Sequence, residues 1–466
     1  MPLTEVMREK LKKALEAERI AVVGASGEQL SVVGMGLLCN LLSACFPGEV
    51  IPVNPKHDRI LGRKCYPDIE SVQPPPDLAI LLLNQHAAME MAERAAKCGV
   101  QAVTVVAGGF REAATDEGRA LEEKLRELAC RYDMPVIGPN TVGFSCFHRR
   151  LHGVFWHLDV VPGPVALLTQ SGGVGLTIAN SLRSIGCGLS HFIGVGNRCV
   201  VDFPDYLDIL WTLPEIKGFC LFVEGVDNPR RLYQALRRIT PHKPVVVYKA
   251  GKTEEVSRAT VTHTGSLAGE YHLYRAAFKQ AGAVEVESSM EAAIASKALC
   301  MQPPPDGNRL CVLTFTAGPG IVAMDRLLEA GWELAELSPR TKSGIQSIIG
   351  ENTPVKIQNP VDLTGPGFLP TVYTRVMDLL LEEPFDAYLL VWAYNPHVRV
   401  PTVELQGALK SFRKPVVVAF LGHHAEAMPW IEDLYSRGIC AYLTTEDAAL
   451  ALNALLARSR FLAREP

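Results

Sequence analysis

Three times in 466 residues, a short aliphatic run ends in a glycine-rich turn that opens into a helical stretch. The turns are Gly24-Ala25-Ser26-Gly27, Gln170-Ser171-Gly172-Gly173-Val174-Gly175 and Ala317-Gly318-Pro319-Gly320. Runs of Val, Ile and Leu without polar alternation are strands covered on both faces, and such strands separated by helices form parallel, doubly wound sheets. The first unit reads as strands at 19–26, 49–55, 77–83, 102–110 and 134–140, with helices over 32–43, 87–98 and 115–132. The grammar restarts at 163–175, with a helix over 173–185 and strands at 189–196, 216–226 and 243–251. Residues 302–308, QPPPDGN, form a stiff polar break, and a third unit follows with strands at 309–320, 387–394 and 414–422. The expected fold is α/β, with three doubly wound parallel-sheet domains at 1–150, 151–301 and 308–466.

Composition narrows the class of function. Lys and Arg number 46 against 50 Asp and Glu, a net charge of −4, which gives no footprint for nucleic acid. Aromatic residues do not interleave with basic runs. The longest apolar runs, Leu78–Leu83 and Val416–Leu421, fall well short of the roughly 18–20 residues that span a bilayer. The first twenty residues mix acids and bases at helical spacing and lack the apolar core of a signal peptide. The expected compartment is the cytoplasm, with no nucleic-acid or membrane partner. Twelve cysteines fit that setting, since none form CxxC and most lie in apolar stretches. Free buried thiols are expected, and no metal site.

A strand running into a glycine turn and a helix aims free N–H groups and a helix dipole at one point, an anion site. Three such turns favour an enzyme of phosphorylated compounds. The second strand ends Val53-Asn54-Pro55-Lys56-His57, with a cation where an NAD site needs an acid. NADP and coenzyme A both fit that replacement. His263 stands apart from the other histidines, in Thr262-His263-Thr264-Gly265-Ser266-Leu267-Ala268-Gly269, where small residues let an imidazole approach another site closely. A carboxylate that orients it should close a strand of the same domain, and Glu224 in Phe222-Val223-Glu224-Gly225-Val226 does so. Asp202 and Asp205 are alternatives that helix capping explains more simply. His423-His424 reads as a solvated turn.

These residues, in this order, resemble the alpha subunit of ADP-forming acyl-CoA (acetyl-CoA) synthetases, in the succinyl-CoA synthetase superfamily. The resemblance runs through VVGAS, VNPK, GPN at 138–140, TQSGGVG, VGN at 195–197, VDFPDYL, VEGV, THTGSLAG, AGPG and NPVDL at 359–363. It implies a Rossmann-like CoA-binding domain followed by two flavodoxin-like CoA-ligase domains. CoA would be held through Gly24, Ser26, Pro55, Lys56 and Asn140. His263 would carry the phosphoryl group, with Glu224 on its second ring nitrogen. The helix starts at Ser171-Gly172-Gly173 and Gly318-Pro319-Gly320 would cradle the phosphate. Acyl-CoA, phosphate and ADP would convert reversibly to acid, ATP and CoA through a phosphohistidine.

The chain has neither an ATP-grasp domain nor a GxxxxGK[ST] loop, so Mg-ADP/ATP is expected on a beta subunit with an ATP-grasp domain, in an alpha2beta2 assembly. Two departures stand out. Glu270-Tyr271 follow the histidine loop where the family more often has Ser-Asp, and GPNTVGF replaces GPNCLG. Neither removes a group that the chemistry needs. Other readings are a CoA-binding sensor without turnover and an NADP-dependent oxidoreductase, the latter leaving His263 without a task.

Overall fold

The computed structural model describes residues 2–25, 32–253, 255–256, 270–350, 353, 355–410 and 412–464. In it the aliphatic runs become the strands of three main sheets. The chain packs as two compact units, Met1–Asn180 with Gly188–Ser289, and Ser181–Cys187 with Met290–Pro466.

The first unit opens with α1 (Glu5–Leu15), capped by Thr4, and β1 (Arg19–Val23). Then come α2 (Val32–Ser43), β2 (Glu49–Val53) and a small hairpin, β3 (Arg59–Ile60) and β4 (Arg63–Lys64). β5 (Leu78–Leu81), α3 (Gln85–Lys97), β6 (Ala102–Val105), α4 (Asp116–Tyr132) and β7 (Val136–Ile137) complete the first sheet. Its order is β2-β1-β5-β6-β7, parallel throughout. Leu78, Ala79, Ile80 and Leu81 are all inaccessible to solvent, which is why this run carries no polar residue. Each buried Leu or Ile contributes roughly 1.5–3 kcal/mol over exposure. α4 starts at Thr115, whose hydroxyl accepts from the Gly118 N–H, and Asp116 and Glu117 favour the positive end of its dipole.

The second sheet runs β14 (Val284–Val286), β13 (Val245–Lys249), β12 (Gly218–Val223), β10 (Pro162–Thr169), β11 (Leu189–Gly194), β8 (Gly143–Cys146), β9 (Leu151–Val154). Its parallel strands are β10, β11, β12, β13 and β14. The antiparallel hairpin β8 and β9 adds an edge that the aliphatic pattern did not announce, straddling residue 150. Its helices are α5 (Gly172–Ser184), α6 (Phe203–Leu210), α7 (Pro229–Ile239) and α8 (Tyr271–Gln280). Asp202 and Asp205 form a capping box at the start of α6, and Arg231 pairs with Asp205. The capping reading of these two acids holds.

The second unit takes in α9 (Ser289–Met301), apart from its first residue. Its sheet comprises β15 (Arg309–Thr314), β16 (Glu333–Leu334), β17 (Val361–Asp362), β18 (Ala387–Ala393), β19 (Val416–Leu421) and β20 (Cys440–Tyr442). The order is β16-β15-β18-β19-β20, with β17 also on β15 and every pairing parallel. α10 (Ala317–Glu329), α11 (Pro339–Ile349), α12 (Pro370–Leu381), α13 (Thr402–Leu409), α14 (His424–Ser436) and α15 (Thr445–Leu462) connect or cover these strands. His423 is the residue that precedes α14. Among the described residues, no helix is long and apolar enough to cross a membrane, and no cluster of three His, Cys, Asp or Glu is placed to hold a metal ion.

Candidate active site

The carboxyl ends of strands from both sheets of the first unit open onto one cavity of about 500 Å³. Leu82 and Leu83 follow β5, Val106 and Ala107 follow β6, Gln170–Gly173 follow β10, and Gly194 ends β11. Asn140, Val142, Phe155 and Trp156 close the remaining sides. Loops beyond strand carboxyl ends are where open α/β sheets bind ligands.

Gly24, which opens the first glycine turn, packs against Leu82 and Leu83 of this cavity. Gly24 has φ +81°, and a Cβ there would lie 2.6 Å from the Leu82 carbonyl, so only glycine fits. Asn54 organises the strand end beside it, donating Nδ2 to the Ala25 carbonyl at 2.8 Å and accepting the Lys56 N–H at 2.9 Å. That Asx turn sets out Pro55 and Lys56, both exposed. Asn140 adopts φ +56°, its N–H donating to the Ala107 carbonyl at 2.9 Å and its Nδ2 lying 3.4 Å from Asn197 Oδ1. Ser26 lies outside the described residues.

The second turn starts α5 on the cavity wall. Ser171 Oγ accepts the Val174 N–H at 3.4 Å, and the first helical hydrogen bond runs from the Gly175 N–H to the Ser171 carbonyl at 2.9 Å. The N–H groups of Gly172 and Gly173 precede that bond, at the positive end of the helix. Thr169 Oγ1 holds the turn by donating to the Ser171 carbonyl at 2.6 Å.

Glu224 follows β12 and is 7% exposed. Its N–H donates to Gln170 Oε1 at 2.8 Å, so the turn that opens α5 and the backbone bearing this carboxylate are directly joined. The structure thus brings Asn140, Ser171, Gly172 and Gly173 onto one cavity, with Gly24 beside it and Glu224 one hydrogen bond away. Gly318, Pro319 and Gly320 form the first turn of α10 in the second unit, after Thr316, which makes no side-chain cap. His263 lies outside the described residues.

Asn197, the partner of Asn140, belongs to a polar network of its own. Arg111 Nε pairs with Glu122 Oε1 at 3.1 Å and its Nη1 with Asp227 Oδ2 at 2.8 Å, and Asn197 Nδ2 donates to Glu122 Oε2 at 2.9 Å. Desolvation raises the Glu122 pKa above the ordinary carboxylate value, with Arg111 pulling the other way. Gln170 and Asn197 lie inside the motifs TQSGGVG and VGN, yet only the fold reveals what they touch. Residue spacing alone gives no sign of a partner 54 positions away.

Residues 18–146 match a family model described as a CoA binding domain, and residues 162–299 match a succinyl-CoA ligase like flavodoxin domain. The parallel sheets and these two matches make the fold that of an α/β CoA ligase. The acetate–CoA ligase [ADP-forming] II subunit alpha of Pyrococcus furiosus is 33% identical over 95% of this chain and 96% of its own length. The acetate–CoA ligase [ADP-forming] I of Archaeoglobus fulgidus is 31% identical over 96% of this chain and 63% of that protein. The solved dinucleotide forming acetyl-coenzyme A synthetase 1 of Ca. Korarchaeum cryptofilum, in complex with phosphate and ADP, superposes with a TM-score of 0.88 at 32% identity, covering 97% of both chains. The chain belongs to the family of ADP-forming acetate–CoA ligase alpha subunits, and it is a CoA ligase. The oxidoreductase reading is thereby set aside.

Proposed function

We propose that this chain is the CoA- and phosphoryl-handling subunit of an ADP-forming acyl-CoA synthetase that works through a phosphohistidine at His263. The observation that carries the reading is the single cavity onto which Asn140 and the Ser171–Gly173 helix start both open, with Glu224 tied to the same turn through Gln170. That arrangement suits a thioester and an inorganic phosphate meeting at one point. Gly24, Ser26, Pro55, Lys56 and Asn140 hold CoA, which supplies the activated acyl group as its thioester.

A phosphate oxygen attacks the thioester carbonyl and the carbon–sulfur bond breaks, giving acyl phosphate and CoA thiolate, which takes up a proton. A His263 ring nitrogen then attacks phosphorus, the bond from phosphorus to the acyl oxygen breaks, and the carboxylate leaves. Glu224 accepts a hydrogen bond from the other ring nitrogen, fixing the tautomer and offsetting the positive charge that the ring gains. The N–H groups of Ser171-Gly172-Gly173 and of Gly318-Pro319-Gly320 receive the phosphoryl oxygens, the electrostatic part of catalysis.

The phosphoryl group passes from His263 to ADP, forming ATP, and every step is reversible. Mg-ADP/ATP is assigned to a beta subunit with an ATP-grasp domain, in an alpha2beta2 assembly. The Pyrococcus relative is named as an alpha subunit, and the Archaeoglobus relative extends well beyond the matched portion. Domains at 1–150, 151–301 and 308–466 would hold CoA, the histidine and the second phosphate-facing helix. The cytoplasm suits twelve cysteines of which none form CxxC and most lie in apolar stretches.

Incubation with acetyl-CoA and radiolabelled phosphate is the direct test. An acid-labile, base-stable label on the chain, lost in His263→Ala, is the expected result. A chain that binds CoA but takes no label overturns the phosphohistidine and leaves a CoA-binding sensor.

A further inference from the structure

The backbone from Glu224 to Val226 is held by side chains. The N–H groups of Glu224 and Gly225 both donate to Gln170 Oε1, at 2.8 and 3.2 Å. Lys249 Nζ donates to the Glu224 carbonyl at 2.7 Å, and Arg198 Nη1 donates to the Gly225 carbonyl at 2.7 Å. The Val226 N–H donates to the Tyr274 hydroxyl oxygen at 3.2 Å. Loops at strand ends commonly satisfy such groups with water or other backbone, and are mobile for that reason. Here four side chains from separate parts of the chain converge on three residues.

Two of the four stand out. Lys249 ends the neighbouring strand β13 at 2% exposure, with its ammonium 4.7 Å from the centre of the Tyr274 ring. Burial pushes that ammonium down to about 8, against the opposing pull of Glu224 and Glu285, so its placement is unfavourable for the lysine itself. Gln170 immediately precedes Ser171. Because its Oε1 takes two backbone donors, the amide orientation is fixed, and Nε2 is left buried without an acceptor among the described residues. Unpaired buried donors are rare and concentrate where function constrains the chain.

We propose that Gln170 and Lys249 are positioning residues for Glu224, clamping its backbone from two sides so that its carboxylate meets His263 in one orientation. Gln170 also couples that orientation to the turn at the start of α5. The proposal rests on the pairing of Glu224 with His263 proposed above.

A double-mutant cycle on the full chain tests it, reading the initial rate of labelling from acetyl-CoA and radiolabelled phosphate alongside CoA affinity by calorimetry. Gln170→Met should slow labelling roughly tenfold while CoA affinity stays within about twofold. In a Glu224→Gln background the same change should cost less than about twofold, because the group it positions is already gone. Lys249→Met should behave as Gln170→Met does, and if it fails to fold, the Gln170 pair carries the test. Costs that multiply in the double variant would make Gln170 merely structural and overturn the proposal. Full labelling in Glu224→Gln alone overturns instead the reading beneath it.

Discussion

Gly172 and Gly173 are adjacent yet face opposite constraints. A Cβ on Gly172 would lie 2.4 Å from Val142 Cγ1 and 3.0 Å from the Trp156 ring, whereas a Cβ on Gly173 meets nothing within 4 Å. Gly172→Ala should therefore cost roughly 1–3 kcal/mol of stability through overpacking, visible in the urea midpoint. Gly173→Ala should melt at or slightly above the wild-type temperature, since alanine favours a helix more than glycine does. A raised KM for phosphate in that folded variant would then report on the ligand; an unchanged KM would remove Gly173 from the phosphate site. His191 on β11 makes a separate prediction. It is 2% exposed, and burial lowers its pKa from 6.5 to about 4. The unfolded chain binds that proton more readily, so stability is retained above pH 6.5 and lost as pH falls towards 4, at about 1.4 kcal/mol per unit where steepest. His191→Phe should flatten this part of the stability profile, and an unchanged slope would count against it. At this scale the sequence showed that Glu224 was odd, an acid closing an apolar strand, but not what held it. Gln170 and Lys249 reach it, and Arg198 and Tyr274 reach the two residues after it, only through the folded sheet.

Two of the helix starts are built alike. Thr169 ends β10 and donates to the carbonyl of Ser171, and Thr314 ends β15 and donates to the carbonyl of Thr316 at 2.8 Å. Thr314 Oγ1 also accepts the Thr316 N–H at 3.0 Å, so one hydroxyl closes the turn in both directions. Thr314→Val keeps the shape and removes both bonds at a site 1% exposed. It should lower stability by about 1–3 kcal/mol, measured as a shift in the denaturant midpoint, and a neutral result would show that water replaces the hydroxyl. Elements of this kind were legible because the pattern behind them is local: an aliphatic strand, a small-residue turn, a helix. The hairpin β8–β9 was not. Phe144, Ser145 and Cys146 are all buried, so the run lacks polar-out alternation, and it is too short to stand out as aliphatic. Its place is fixed by pairing with β11, and by Asn40 Nδ2 donating to the Val154 and Trp156 carbonyls at 2.8 Å.

Across the whole molecule, the proposed chemistry draws on both compact units, and this is its most exposed commitment. The cavity, Glu224 and the start of α5 all belong to the first unit, whereas Gly318, Pro319 and Gly320 belong to the second. Gly318 has open space where a Cβ would stand, and Ile321 and Val322 beyond it are 54% and 45% exposed. Apolar side chains at an uncapped helix start suit a surface that meets another group better than one that faces water. Gly318→Asp places a carboxylate where a phosphoryl group is proposed to bind, with room for the side chain. An acid in the first turn also favours the helix dipole, so stability should hold or rise slightly. If α10 receives phosphate, this variant should lose at least about tenfold in labelling or in ATP formation with the partner present, through like-charge repulsion, while CoA affinity by calorimetry stays unchanged. Unimpaired turnover in a folded Gly318→Asp would confine the phosphoryl chemistry to the first unit and leave the third glycine turn as a packing feature of its sheet.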